Sequence, residues 1–337
     1  MSFKRLDPED ISISAEPVVA PLWSTDTKYL TTFHTSSGQV ASNTGNFFYE
    51  IYENNPALST PANVQFSIAF GDKTGRGTGP YDTGVSTKTP SSTIYGQYRN
   101  LVFGDEETGF VFSTYESDYI YVLNLDRARY KEKLLPGSFN LRLQNDSGDI
   151  LYLTDNSNDI TTVSYVDAGR VYDIVSGSDG SAYFELGHSS VYGSYGKFLP
   201  DVGIVILNGI ALQLPAAGGG INLGTTFAGD GTDVNLNKLY NVIKLGASAS
   251  LQSEETISSN FVFVRVRNSE FNYSTNPSNI TSSGELRHDV MINSPQAYIT
   301  TVGLYNDNND LLGVAKLSRP LLKDFTKEAL VRIKLDY

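Results

Sequence analysis

Apolar and polar residues alternate with period two along much of the chain, the mark of strands with one face covered. Val64, Phe66, Ile68 and Phe70 put four apolar side chains on one face of a strand. Just before them, Phe47, Tyr49 and Ile51 alternate with Phe48, Glu50 and Tyr52. Phe110 to Phe112 and Tyr119 to Leu125 continue the pattern, with Tyr119, Tyr121 and Leu123 on one side. From 138 to about 233 a run of antiparallel strands is expected: Phe139 to Leu143, Ile150 to Leu153, Thr162 to Val166, Val171 to Val175, Tyr183 to Leu186 and Gly203 to Leu207. The turns between them, NDSGD, DNSND and SGSDGS, carry the Asx and Gly residues that hairpins need. Beyond 258 come Phe261 to Val266, a hairpin over 298–317, and a last strand carrying Val331, Ile333, Leu335 and Tyr337.

Only a few segments change to helical spacing. Ile94, Tyr98 and Leu101 recur at intervals of four and three after Pro90 and Ser91, which predicts a short helix with that stripe packed on a sheet. Leu236, Leu239, Tyr240 and Ile243 predict a second helix over Asn235 to Leu245. The most apolar run, Val202 to Leu214, reads as a buried strand followed by a loop. It is interrupted by Asn208 and Gln213 and ended by Pro215, well short of the roughly 20 residues that span a bilayer. The resulting fold class is mainly β: two or three antiparallel sandwich or barrel-like domains with a few short helices. Turn density places the domains at 1–145, with an N-terminal arm, 146–257 and 258–337.

The hairpin near the C-terminus, YITTVGLYNDNNDLLGVAKLS, joins two apolar runs through five uninterrupted Asn and Asp residues, Asn306 to Asp310. Asp307 and Asp310 invite a calcium-loop reading. The central Gly and the bidentate Glu of an EF-hand are missing, so a solvated turn is favoured and no metal site is assigned. Tyr298, Val302, Leu304, Tyr305, Leu311 and Leu312 of the hairpin, with Val331, Ile333, Leu335 and Tyr337 of the last strand, form a candidate assembly surface. Such a hairpin and terminal strand suit strand addition to a partner. The plainer alternative is that they complete the last domain of this chain.

Composition narrows the function classes. With 40% hydrophobic and 18% charged residues the chain is globular, and 21 Tyr and 17 Phe among many Gly, Ser and Asn favour short strands joined by turns. The net charge of −12 disfavours specific nucleic-acid binding, whose affinity comes largely from neutralising phosphates. The chain contains no Cys, which removes disulfides, thiolate catalysis and zinc–sulfur sites. The N-terminal MSFKRLDPEDIS lacks the apolar core of a secretory signal, and no membrane insertion is expected.

No catalytic residue and no cofactor are assigned. His34, His188 and His288 lie far apart without metal-binding spacing, the Gly-rich stretch 71–90 does not fit a Walker loop, and no nucleophile elbow occurs. A glycosidase pair such as Asp201 with Asp230 is one of many that an acidic chain offers. Arg127, Arg129, Lys131 and Lys133 fall at every second position of LDRARYKEKLLPG. They make a candidate basic patch for an acidic partner, or a solvated face on one or two helical turns capped by Asp126. Trp23, the single Trp, is either an anchor for the N-terminal arm or a core residue.

Six stretches carry a family resemblance. They are SFKRLDPEDI (2–11), KTPSSTIYGQYRNLVFGD (88–105), LDRARYKEKLLPGSFNLRL (125–143), DAGRVYDIVSGSDGSAY (167–183), FVFVRVRNSEFNYSTNPS (261–278) and the last 38 residues from TTVGLYNDNND to the end (300–337). On these the chain resembles a virion structural protein of the T4-like, contractile-tailed phages that infect cyanobacteria. The last stretch also resembles, more loosely, a strand pair of baseplate and fibre-attachment proteins. The resemblance implies a non-enzymatic protein, made in the host cytoplasm and assembled into the virion with other virion proteins and with copies of itself in a symmetric array. A baseplate or fibre-attachment place is implied first, and a neck, collar or capsid-surface place second. The exposed Tyr and the Asn/Asp loops also allow a receptor- or carbohydrate-binding β-module. A tailspike-type hydrolase would need two carboxylates in a cleft, for which no motif speaks.

Overall fold

The computed structural model describes residues 4–36, 48–58, 62–79, 89–183, 190–228 and 234–336. The fold is mainly β and antiparallel, with strands taking 44% of the chain and helical segments 15%. In chain order the strands are β1 (Ile11–Pro21), β2 (Tyr29–Leu30), β3 (Phe48–Tyr52), β4 (Val64–Asp72), β5 (Phe110–Phe112), β6 (Tyr115–Ser117) and β7 (Tyr119–Leu125). Next come β8 (Lys133–Leu134), β9 (Asn140–Gln144), β10 (Ile150–Asp155), β11 (Ser164–Val166), β12 (Gly169–Ser178), β13 (Ser181–Ala182), β14 (Gly196–Leu199) and β15 (Ile204–Asn208). The last five are β16 (Ser248–Ser250), β17 (Gln252–Val266), β18 (Gln296–Tyr305), β19 (Leu311–Asp324) and β20 (Ala329–Asp336). The helices are α1 (Pro90–Phe103), α2 (Gly209–Gln213), α3 (Val234–Gly246) and α4 (Asp289–Asn293). No helix among the described residues is long and apolar enough to cross a membrane.

The chain forms two compact units, one from Val18 to Glu255 and one from Met1–Pro17 with Thr256–Tyr337. The expected limit at 145 falls elsewhere than a domain boundary. It lies in the turn between β9 and β10, which pair from Ile150↔Gln144 to Thr154↔Asn140 inside one sheet. A turn-rich segment marks a hairpin as readily as a linker, and there the side chain of Asn145 closes the turn by accepting from the backbone of Asp149 at 2.9 Å.

The Val18–Glu255 unit is built on one curled antiparallel sheet in the order β2-β16-β9-β10-β12-β14-β15-β7-β4-β3, with β11 and β13 both paired to β12. One face is covered from end to end. Leu30, Phe66, Ile68, Phe70, Tyr121, Leu123, Leu141, Leu143, Leu153, Ile174, Val205 and Leu207 point into a single buried cluster, joined by Leu212 of α2 and by Leu236, Leu239 and Ile243 of α3. Among the described residues the other face is covered over the half containing β4, β7, β15 and β14, as far as Val171 of β12. There α1 supplies Tyr95 and Val102, β5 supplies Phe110 and Phe112, and the sheet supplies Ala69, Ile120, Val122, Leu199, Ile204 and Ile206. This explains why β7 and β15 read as unbroken apolar runs, since successive residues enter opposite cores.

Local chemistry starts and stops the helices. Thr89 caps α1 by accepting from the Ser92 backbone at 3.3 Å, Pro90 occupies the first turn, and Gly104 ends the helix in the left-handed region at φ 70°. The packed stripe differs from the expected one. Ile94 and Tyr98 of that stripe pack on the core, but Tyr95 and Val102 are the buried residues and Leu101 is 46% exposed, so the packed face lies toward Tyr95 and Val102. Tyr95 decides this phase, because its hydroxyl donates to the Ser117 carbonyl at 3.2 Å. The loop expected after the buried strand is the helix α2, with Asn208 as its cap. Seven strands escaped the pattern: β2, β6, β8, β13, β14 and β16, which are all four residues or shorter, and β1, which is exposed along nearly its whole length. The strand expected at Tyr183 to Leu186 lies largely outside the described residues.

In the second unit the sheet order is β1-β17-β20, and β17 pairs with β20 from Ser259↔Asp336 to Val266↔Ala329. Strands β18 and β19 form a separate two-stranded ribbon. Val262, Val331 and Ile333 are buried and are packed by Leu6, Val264, Val302, Leu304, Ala315, Leu317 and Leu321.

Candidate functional site

The ribbon is the hairpin expected from the sequence, longer at both ends. It pairs from Gln296↔Asp324 to Tyr305↔Leu311, with irregularities between Ile299 and Thr301 and between Leu304 and Tyr305. Asn306 builds the turn. Its Oδ1 accepts from the backbone N–H groups of Asn308 at 3.0 Å and Asp310 at 2.8 Å, and its Nδ2 donates to Asp310 Oδ2 at 2.9 Å. Asn309 takes the left-handed backbone at φ 62°, which Asn tolerates well. The side chains of Asn306 and Asp310 thus serve the turn itself.

Because cross-strand partners share a face, the register sorts the candidate residues. Val302↔Ala315 and Leu304↔Gly313 face inward to the unit's own core, as do Val331 and Ile333 of β20. Gly303↔Val314 and Tyr305↔Leu311 face outward. Tyr305 leans over Gly303, where an added Cβ would meet its ring at 2.9 Å. On this outer side Leu312 is 70% and Val314 60% exposed, and Leu311 and Tyr305 are also exposed. Tyr298 and Leu335 are exposed as well, whereas Tyr337 lies outside the described residues. The ten candidates therefore do not form one surface: four fill the core, and Val314, which the sequence reading left out, joins the exposed set.

Behind the ribbon a buried lysine holds the unit together. Lys323 is fully buried, and its Nζ donates to the Asn268 carbonyl at 3.0 Å, to Asn272 Oδ1 at 2.6 Å and to the Asp324 carbonyl at 2.8 Å. Three neutral acceptors complete the shell of a desolvated ammonium and tie the 267–272 segment to β19. Around them, Asp324 is held below the usual carboxylate range by the Thr326 hydroxyl and backbone, Asp336 by the Ser259 hydroxyl and Lys334, and Glu270 by the Arg267 backbone and Lys4.

The other sequence candidates are dispersed. Trp23 is 4% exposed, packs against Phe66 and donates its indole N–H to the Lys28 carbonyl at 3.0 Å, so it is a core residue of the Val18–Glu255 unit. Arg127 and Arg129 sit in a single tight helical turn opened by Asp126, and Arg127 stacks on the Tyr130 ring while donating to the Tyr130 carbonyl. Lys131 pairs with Glu255 at 2.8 Å, and Lys133 lies near Glu132 and Glu254. Arg129 Nε is buried with no hydrogen-bond partner among the described residues. Much of the charge at this segment is thus spent within the chain. Asp201 is held by Arg170 at 2.6 Å, and Asp230 lies outside the described residues.

A site not visible in the sequence lies on the half of the large sheet that no described residues cover. Leu30, Leu141, Leu153 and Ala249 face the core, so their neighbours Tyr29, Asn140, Arg142, Tyr152, Ser248 and Ser250 face the other way. Together with Gly177, Ser178 and Asp179 they line an open groove of about 170 Å³. The register puts Tyr29, Ser250 and Asn140 in one cross-strand row, and Ser248, Arg142 and Tyr152 in the next. Asp179 and Gly180 turn the β12–β13 hairpin with φ of 49° and 78°, the pair of left-handed residues that a two-residue hairpin loop requires. That turn is pinned at the rim: Asn140 exchanges hydrogen bonds with the backbone and carboxylate of Asp179 at 2.7 and 3.0 Å, and Thr154 accepts from the Gly180 backbone at 2.8 Å. Nothing in the local sequence distinguishes these residues from other strand positions, because only the strand order brings β2, β16, β9 and β10 together. No protein-family model, no curated protein and no solved structure matches this chain.

Proposed function

We propose that the chain is a non-enzymatic structural protein of a phage virion, a tail baseplate or fibre-attachment component that assembles through the outer side of its C-terminal hairpin. The observation that carries this reading is the row of exposed apolar side chains Tyr305, Leu311, Leu312 and Val314 on a rigidly paired ribbon. Water-facing apolar groups clustered at the tip of a regular element are costly in a free monomer and are stabilised when a partner covers them. The opposite side of the ribbon is already used by the unit's own core. The hairpin therefore both completes its own unit and presents a second face, so the two roles that the sequence leaves open are divided between its faces. The partners of this reading are other virion proteins and copies of the same chain in a symmetric assembly.

The test is incorporation into particles. Replacing Leu312 and Val314 by Asp is expected to lower the amount of the chain in purified virions at least tenfold, with the melting temperature of the purified chain unchanged. Normal incorporation would sink the hairpin as the assembly surface. Separating heads from tails and counting the chain by mass spectrometry then decides its place. Tails at a multiple of three or six copies match a baseplate or fibre role, and heads would replace it with a capsid-surface one.

A further inference from the structure

The groove on the open half of the large sheet is the strongest remaining feature, and it is independent of the hairpin. The floor is mixed, lined by Leu141 and Leu153 as well as by Asn140, Arg142, Ser248 and Ser250. Two tyrosines stand at its sides, Tyr29 at 57% and Tyr152 at 44% exposure. Their strands are separated by β16 and β9, three spacings of about 4.8 Å or about 14 Å between backbones. Between them lie Ser248 and Ser250 of β16 and the Asn140–Arg142 stretch of β9, with Leu153 and Gly177 also in the lining.

The polar groups of the floor are held in place and still have capacity. Arg142 uses its guanidinium to bond the Gly246 carbonyl at 2.6 Å and Gln144 Oε1 at 2.9 Å, which leaves other N–H groups of its five to donate outward. Asp179 Oδ1 accepts from Asn140 and lies 3.6 Å from Lys28, and Oδ2 accepts from the Ser178 hydroxyl at 3.3 Å with a lone pair to spare. Asn158 also donates to the Asp179 carbonyl at 2.7 Å, so the acid stands on a backbone anchored from three directions. A surface already fixed in its bound geometry loses little entropy on binding.

We infer that this groove binds a neutral oligosaccharide, laid across β2, β16, β9 and β10 with sugar rings against Tyr29 and Tyr152 and hydroxyls bonded to Arg142, Asp179 and Ser248. A pyranose ring has apolar C–H faces and a rim of hydroxyls that both donate and accept. Two part-exposed tyrosine rings, one with Lys28 over it at 5.6 Å and the other edge-on to Tyr183 at 6.5 Å, together with the Arg142 donor and the Asp179 acceptor match that chemistry. Single-stranded nucleic acid would also stack on tyrosine, but it needs a positive track for its phosphates. Here Lys28 is paired with Asp179 at 3.6 Å, Arg142 is the one basic residue lining the groove, and the chain carries a net charge of −12.

The experiment probes the full-length chain on an array of neutral gluco-, galacto- and manno-configured oligosaccharides, with oligo-dT as the competing probe, followed by calorimetric titration of the best binder. Binding of at least one oligosaccharide is expected, with Tyr29→Ala and Tyr152→Ala each weakening it tenfold or more. Asp179→Asn, which keeps the turn because Asn also accepts left-handed backbone, is expected to weaken it without changing the melting curve. Absence of any oligosaccharide signal overturns the inference. So does binding that survives the Tyr29→Ala/Tyr152→Ala double variant, or tighter binding of oligo-dT. The Leu312→Asp/Val314→Asp variant is expected to bind the sugar normally, so failure of the assembly reading and failure of this one are separately visible.

Discussion

The two compact units of this chain use the same alternating pattern to different ends. In Val18–Glu255 the central strands are packed on both faces, by α2 and α3 on one side and by α1, β5 and their neighbours on the other. In the unit of Met1–Pro17 and Thr256–Tyr337 the buried apolar centre is Val262, Val331 and Ile333, supplemented by half-buried residues of the ribbon. It holds its polar interior through Lys323 and leaves Leu312, Val314, Leu311 and Phe325 in water. The lesson is that alternation specifies which side of a strand is apolar and says nothing about what covers it. Small units bury a smaller fraction of their surface, and the remainder is available to partners.

The comparison predicts large effects in the first unit. Phe198 is fully buried and stacked on Phe139 with ring centroids 5.5 Å apart, so Phe198→Ala is expected to destabilise by about 3–5 kcal/mol, visible as a lower urea midpoint. In the second unit the corresponding weak point is polar. Lys323→Met strands the Asn268 and Asp324 carbonyls and the Asn272 amide in a buried site, at a cost of about 3 kcal/mol. Hydrogen exchange should show β17 and β20 losing protection while β7 and β15 keep theirs; equal loss in both would make the two units one cooperative body. Gly180→Ala tests the groove's rim. Its backbone is left-handed, and an added Cβ would lie 2.8 Å from Gly137 Cα, so a loss of about 2 kcal/mol is expected in the melt of the first unit.

Acid should separate the units further. Asp324, Asp336 and Glu270 are held below the ordinary carboxylate range in the fold, so the stability they contribute is present above that range and lost as pH falls through their depressed values. In the first unit Asp155 behaves oppositely. Burial pushes its carboxyl up despite hydrogen bonds from Ser157 and Gly137, so its contribution is greatest at low pH and is lost as pH rises through the raised value. Exchange measured between about pH 5 and pH 3 should therefore show a small loss of protection at the Ser259–Asp336 end of β17 and β20, and Asp155→Asn should remove the opposite trend around β10. The smallest effect on stability belongs to the outer ribbon. Leu312→Asp with Val314→Asp should change the unfolding free energy by about 0.5 kcal/mol or less, although incorporation into particles is expected to fall; a large loss of stability would place these side chains in a core instead.

Much of this architecture could be read from the chain before any coordinates. Val64, Phe66, Ile68 and Phe70, the α3 stripe, the Asp179–Gly180 turn and the 298–317 hairpin are local statements: side-chain period, capping and turn chemistry act within a few residues, and the fold keeps them. The errors also share a cause. The stripe through Ile94 and Tyr98 packs as its period predicts but Leu101 does not, because Tyr95, whose hydroxyl donates to Ser117, is the residue at the centre of the packed face. The limit expected at 145 was a hairpin turn, since turn residues look alike within a sheet and between domains.

What the sequence determined by itself is therefore the β class, most strand positions, the hairpin and its turn, because each follows from interactions between near neighbours. What only the tertiary structure decided is which apolar face is covered. It turned Val302, Leu304, Val331 and Ile333 inward, left Leu312 and Val314 outward, took Trp23 into a core, and brought Tyr29 and Tyr152, more than a hundred residues apart in the chain, to one groove. Those outcomes depend on strand order and register, which arise from long-range pairing, and no local period encodes them.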